Sequence, residues 1–255
     1  MTVPRILLSA ALTTLLAASS AQAQLLVNPS GGSTITTSVD DNAYSRSFGG
    51  TFDYYGVAHT SGYVSSNGNI NFGPNSTWTN SSLGADGPMI AAMFDDLLLP
   101  PGSISDLSTS AYYAVTYDGV GTFGNTGVRT FQTVLFTNAI TLGNFDFLPN
   151  DIAFSYGSLS GNMNGTTTVG VTNGPGIFTP LPGTADGQIS NYSLLPTTDN
   201  QFVLFRQNAN GGYDASIEST TATTTTPEPA SLTLLATGFV GIAGAIRRRR
   251  NRLAV

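Results

Sequence analysis

Between Phe48 and Arg206 the chain carries no run of helical period. It carries instead a succession of short runs rich in aromatic and β-branched residues, parted by clusters of Gly, Pro, Asn and Asp. Side chains alternate across a pleated strand, so each such run buries one face, and a chain built of them closes its core by stacking sheets. The runs fall at 51–55, 63–66, 70–72, 89–94, 113–117, 128–137, 152–156, 167–172 and 201–206. Tyr113, Val115 and Tyr117 alternate with Ala114 and Thr116, the pattern of a half-buried strand. Residues 89–94 are apolar throughout, start after Pro88 and stop at Asp95-Asp96, which favours a fully buried strand. Asn67-Gly68 is the strongest short-range hairpin signal, because the favoured two-residue turn needs positive φ at both centres. Residues 25–42 read as a polar lead-in with at most one short strand, 118–127 as a Gly-rich hairpin loop, and 201–206 as the last strand. The expected fold is all-β, an antiparallel β-sandwich of nine or so strands.

The two ends carry addresses rather than fold. Arg5, the apolar stretch 6–18 and Ala21-Gln22-Ala23 make a signal peptide over residues 1–23, cut after Ala23 to leave Gln24 first. The sandwich domain is expected over 24–215, and the Ser/Thr-rich segment 216–226 as a flexible linker. Residues 227–255 open on Pro227-Glu228-Pro229, continue as an uncharged apolar run over 230–246, and close on Arg247, Arg248, Arg249 and Arg250. At ~1.5 Å per residue that run makes a helix of roughly 25 Å, short for a bilayer core of about 30 Å. It suits a transient single transmembrane span with a positive stop. With no cysteine in the chain, the exported domain relies on packing and sheet hydrogen bonds alone.

Charge excludes one class of partner. Between the two addresses lie thirteen Asp and Glu218 against Arg46, Arg129 and Arg206, and the whole chain has no Lys. Phosphate backbones are held by clustered Lys and Arg, so nucleic acid is not a partner to expect.

Pro-Glu-Pro, an apolar helix and an arginine cluster at the C-terminus resemble the PEP-CTERM sorting tail of exported bacterial proteins. The resemblance implies recognition and removal by an exosortase-type membrane enzyme, and delivery of the mature protein to the cell surface or biofilm matrix. Within the domain, the stretch Tyr63-Val64-Ser65-Ser66-Asn67-Gly68-Asn69-Ile70-Asn71-Phe72-Gly73, followed by Pro88-Met89-Ile90-Ala91-Ala92-Met93-Phe94-Asp95-Asp96-Leu97, resembles the nidogen-like extracellular domain. Residues 129–136, 151–158 and 168–174 continue that succession. A Trp usual in the family's Ala-x-Phe-Trp-x-Asp block is missing, since Phe94 runs straight into Asp95. The resemblance implies a matrix or adhesion module without catalysis, with extracellular polysaccharide or matrix components as partners.

The residues offer little chemistry of their own. Gly119-Val120-Gly121-Thr122-Phe123-Gly124 matches a dinucleotide fingerprint as a string, but the next element is a strand, not the helix that would meet a pyrophosphate. His59 is the single histidine, on a loop between aromatic strands, and 157–161 places Leu159 where a nucleophile elbow needs Ser. No enzyme is expected. Asp95-Asp96 at a strand end is the first candidate for a Ca²⁺ site, with Asp40-Asp41-Asn42 as a second. Adjacent strand residues face opposite ways, so Asp95 and Asp96 do not form a glycosidase pair with each other, and one of them is expected to join backbone carbonyls and another Asp around the cation. Trp78, Tyr54 and Tyr55, with Tyr112 and Tyr192, are the aromatics an alternative lectin-like, carbohydrate-binding role would use.

Overall fold

A computed structural model describes residues 24–73, 82–83, 87–124, 126–163 and 165–221. The chain divides into two units, Met1–Thr220 and Thr221–Val255, and every described strand lies in the first. In chain order they are β1 (Ser33–Thr36), β2 (Ala43–Tyr54), β3 (Val57–Ser65), β4 (Asn69–Asn71), β5 (Met89–Phe94), β6 (Leu97–Leu98), β7 (Ser103–Ser108), β8 (Tyr112–Thr122) and β9 (Arg129–Phe136). There follow β10 (Ile140–Leu142), β11 (Phe145–Phe147), β12 (Ile152–Leu159), β13 (Thr167–Gly174), β14 (Ile177–Pro180), β15 (Gln188–Ile189), β16 (Gln201–Gln207) and β17 (Tyr213–Ser219).

They form two large antiparallel sheets and one small hairpin. The larger sheet runs β1-β7-β8-β9-β12-β16-β17, with β6 joined to β8; the smaller runs β14-β13-β5-β4-β3-β2, with β15 joined to β13. Inward residues of both make one core: Phe48, Phe52, Ile70, Ile90 and Val171 from the smaller sheet meet Tyr117, Phe131, Leu135, Phe154 and Phe205 from the larger. Each such side chain contributes about 1.5–3 kcal/mol by leaving water. The sandwich expected from the run pattern is this pair of sheets.

The strand-by-strand reading needs four corrections. Among the described residues seventeen strands occur where nine or so were expected, because pieces of two to four residues have too little pattern to register alone and β7, six residues long, lies in a Pro-, Gly- and Ser-rich stretch that reads as a loop. The β8 strand is not half-buried: Ala114 and Thr116 are as covered as Tyr113 and Tyr117. The Gly-rich stretch after it is strand through Thr122, which leaves a shorter loop. Finally, β16 is not last. β17 pairs with it over seven residues, from Gln201↔Ser219 to Gln207↔Tyr213, so residues 216–219 are sheet rather than linker.

Cover for the larger sheet's outer face explains the second finding. Ala114, Val134, Phe136, Ala153, Phe202 and Leu204 point away from the main core and form a second cluster with Val27 and Phe147. Phe147 comes from the β10–β11 hairpin and stacks on Phe136 at 4.1 Å between centroids. Val27 comes from the lead-in, held by the Gln132 amide, which accepts from its N–H at 3.0 Å and donates to its C=O at 3.0 Å.

Among the described residues no helix is long and apolar enough to cross a membrane. The run 230–246, the signal peptide and both ends of the sorting tail lie outside the described residues. The helical content described is a single 3-10 turn, Tyr192–Leu194, capped by the Asn191 side chain.

Gly56 and Gly68 isolate one steric term. Both sit at positive φ, 82° and 83°. A Cβ at Gly56 meets nothing, whereas one at Gly68 collides with the Met93 carbonyl oxygen. Gly56→Ala is expected to cost about 1 kcal/mol from backbone strain, and Gly68→Ala about 2–4 kcal/mol, by denaturant unfolding. Equal costs would mean that the turn does not pack against β5 as described.

Candidate functional site: an acidic mouth at the hairpin turn

The turn between β3 and β4 is buried, which is unusual for so polar a segment. Ser65, Ser66 and Asn67 are all covered, and the two serine hydroxyls accept from Asn67 N–H at 3.1 Å and Asn42 N–H at 3.0 Å. Asn67 Oδ1 accepts from Leu97 N–H at 3.0 Å, and its carbonyl accepts from Asp95 N–H at 3.2 Å. Its Nδ2 donates to Asp41 Oδ1 at 2.9 Å. Ser65 C=O accepts from Tyr117 Oη at 2.6 Å, which ties the turn to the opposite sheet. The hairpin expected here is present, but its turn spans Ser66 to Gly68 and works as a hub rather than an exposed connector.

That hub assembles three carboxylates from two distant stretches. Asp40, Asp41 and Asp96 each offer an oxygen within 4.8 Å of the others. The lead-in is fixed beside β6 by a two-way backbone bridge between Val39 and Leu99. Asp96 is fixed by the strand end and by its carbonyl, which accepts from Phe123 N–H at 2.9 Å. Phe123, 53% exposed, completes the rim of a cavity of about 220 Å³ lined by these four residues.

Of the two metal candidates Asp95 and Asp96, only Asp96 is in this cluster. Asp95 is buried, accepts from Thr167 Oγ1 at 2.8 Å, and accepts from the Asp96 N–H at 2.9 Å. Both residues lie in the bend between β5 and β6, where Asp95 is buried and Asp96 is only half-buried. The two acidic candidates of the sequence thus exchange members: Asp96 joins Asp40 and Asp41.

Burial and the charges of Asp41, Asp40 and Asp95, in that order, raise the Asp96 pKa to about 6. Such a trio relieves its repulsion in one of two ways. Asp96 takes a proton, or a hard cation takes all three oxygens, with carbonyls or water filling a calcium shell of six to eight. The donor set is all oxygen, which fits Ca²⁺ better than zinc.

The aromatic candidates are mostly structural. Tyr54 is buried in the core, its Oη donating to the Met89 carbonyl at 2.7 Å and accepting from the Thr172 N–H at 3.0 Å, so it offers no exposed face. Tyr55 is half-buried, edge-on to Tyr54 at 4.8 Å and to Tyr213 at 5.1 Å. Burial raises the pKa of both. Tyr112 packs on the outer cluster. Trp78 lies outside the described residues. His59 is on β3 rather than a loop, its ring 4.1 Å from Phe72, and burial lowers its pKa against the opposing pull of Asp53. The glycine-rich string at 119–124 is strand and turn, with no helix after it.

Sequence reasoning missed Phe123 and one buried cation. Arg129 is fully buried, donates to Asn162 C=O at 2.6 Å, and lies 5.7 Å from the centroid of the Tyr192 ring. No local pattern marks either residue, since both depend on chain segments far away in sequence.

The fold and the site define an all-β sandwich with an oxygen-lined acidic mouth. The NIDO related family model matches residues 16–207, more than half of the chain, and the protein belongs to that family. The PEP-CTERM protein-sorting motif matches residues 225–250, which hold Pro227-Glu228-Pro229 and the arginines. No curated protein and no solved structure matches the chain. The protein is therefore an exported one sorted by an exosortase-type system. The family match stops at Gln207, so β17 extends the sheet beyond it.

Proton and cation are separable by thermal unfolding. A raised carboxylate pKa means the folded state holds the extra proton, so this group's contribution falls as pH rises from about 4 to about 6. In chelator, Asp96→Asn is expected to flatten that fall and to unfold above wild type at pH 7. If the mouth binds Ca²⁺, wild type gains about 2.7 kcal/mol at a hundred times the dissociation constant, and Asp41→Asn with Asp96→Asn gains nothing. A calcium gain that survives the double variant would place the cation elsewhere.

Proposed function

We propose that this protein is a non-enzymatic structural or adhesion module of the cell surface or biofilm matrix, processed at both ends. The observation that carries this reading is a family-type extracellular domain whose last strand ends at Ser219, followed within a few residues by the sorting motif. Residues 230–246 hold the precursor in the membrane, and the exosortase-type enzyme cuts at Pro227-Glu228-Pro229. Signal cleavage after Ala23 frees the other end.

Surface chemistry supports the adhesive part. β17 and β14 end their sheets and meet where Thr179 Oγ1 donates to Tyr213 C=O at 2.8 Å, and edge groups beyond that contact are of the kind that pair with further chains. Ile217 on the first and Ile177 and Phe178 on the second are exposed. An acidic surface rich in hydroxyls and amides suits hydrated polysaccharide as the surrounding partner.

The acidic mouth favours a second reading, carbohydrate recognition assisted by Ca²⁺, with the exposed Phe123 ring as an apolar face beside the cation. The matrix reading predicts retention of the secreted protein in the polysaccharide layer whether or not calcium is chelated. Release by chelator, together with binding to a defined sugar on a glycan array, would favour the second.

Both termini give a direct check on processing. Mass spectrometry of the secreted form is expected to find ends near Gln24 and Pro227. Replacing Arg247 to Arg250 with Gln is expected to leave unprocessed precursor in the membrane fraction, because the positive stop sets the register of the short helix. An intact tail on the surface form would contradict the reading.

A further inference from the structure

We propose that the mature N-terminus is a pyroglutamyl ring formed from Gln24, which leaves the processed protein without a primary amine. The inference rests on signal cleavage after Ala23, part of the reading above. Gln24 would then present its free α-amine next to its own side-chain amide, the arrangement from which a five-membered lactam closes. The α-nitrogen attacks Cδ, the new C–N bond forms, the Cδ–Nε2 bond breaks, and ammonia leaves. No oxidant, reductant or second substrate enters the balance.

The structure leaves this ring closure unopposed. Gln24 is exposed, and no hydrogen bond holds its side chain among the described residues. The lead-in first attaches at Leu26, whose N–H donates to Ser155 Oγ at 2.9 Å, and then at Val27 through Gln132. Gln24 therefore lies ahead of the first hydrogen bonds that tie the lead-in to the sheet.

The surroundings favour the neutral product. Gln24 lines a cavity of about 210 Å³ with Leu26, Leu142, Asn200, Gln201 and Thr220, none of them charged. An α-amino group of ordinary pKa, about 7.7–8.0, is a cation at neutral pH and finds no counter-charge in that lining. A lactam carries one N–H and one C=O, which match the neighbouring amides and hydroxyl.

Two consequences follow from the rest of the chain. Removal of residues from a free N-terminus would soon reach Leu26 and Val27, which cover the larger sheet; a lactam blocks that trimming. The sequence also contains no lysine, so the α-amine is the one primary amine of the mature chain. Its loss makes the protein inert toward the aldehydes of reducing sugars, the electrophiles of a polysaccharide matrix.

The absence of lysine makes the test sharp. The full precursor is expressed in a host that exports it, and the secreted form is treated with an amine-reactive label and analysed by peptide mass spectrometry. The expected N-terminal peptide starts at residue 24, is lighter by one ammonia, and takes no label. Gln24→Ala is expected to keep its full mass and take one label per chain. A wild-type terminus at Gln24 that labels and keeps its full mass overturns the lactam while leaving the cleavage reading intact. A terminus at another residue overturns both.

Discussion

Burial of the larger sheet on both faces is the constraint around which the domain is arranged. Antiparallel sandwiches commonly leave outer faces wet, yet Ala114, Thr116, Val134, Phe136, Ala153, Phe202 and Leu204 are all covered. Two pieces of chain supply the cover. The β10–β11 hairpin folds over, held by Arg206, whose guanidinium donates to the Asp151 carboxylate at 2.6 Å and to Asp146 C=O at 2.9 Å. The lead-in lies across the middle strands, where the Gln132 side chain serves both polar groups of Val27 and donates to Thr116 Oγ1 at 2.9 Å. One amide thus replaces a strand partner. Left unpaired, each buried group would cost about 1–3 kcal/mol. A chain without disulfides has no other staple at this point.

The polar turn between β3 and β4 is governed by the same requirement that buried groups be paired. Asn67 is covered because Leu97, Asp95 and Asp41 satisfy it, and satisfying it brings Asp41 up to Asp96. The acidic mouth is therefore a by-product of a structural hub, built on a stiff turn rather than on a mobile loop. Its carboxylates repel, and a proton or a hard cation is what such a site would draw from its surroundings.

Much of the fold was legible because strand periodicity is local. Thr51 to Tyr55, Met89 to Phe94 and Ile152 to Tyr156 announced strands, and all three runs fall in or along β2, β5 and β12. What was not legible depends on distant partners. Ala114 and Thr116 look like a solvated face until Val27 and Phe147 arrive from 87 and 33 residues away along the chain. β17 reads as a hydroxyl-rich stalk because an edge strand with Ser216 and Ser219 needs few apolar residues once β16 supplies its hydrogen bonds. The site shows the same division. Asp40, Asp41 and Asp96 each stood out in sequence, but their meeting depends on the bridge between Val39 and Leu99, sixty residues apart.

The lead-in therefore belongs to the domain. Signal cleavage at Ala23 would spare the cover by only two residues, while the sorting tail begins soon after the last strand. Amide hydrogen exchange on the secreted protein tests this directly. The account predicts that Leu26 and Val27 exchange as slowly as β9 and β12, opening only with global unfolding. Exchange of Leu26 and Val27 as fast as that of the exposed Asn28 and Ser30 would contradict it, and would show that the larger sheet holds together without its cover.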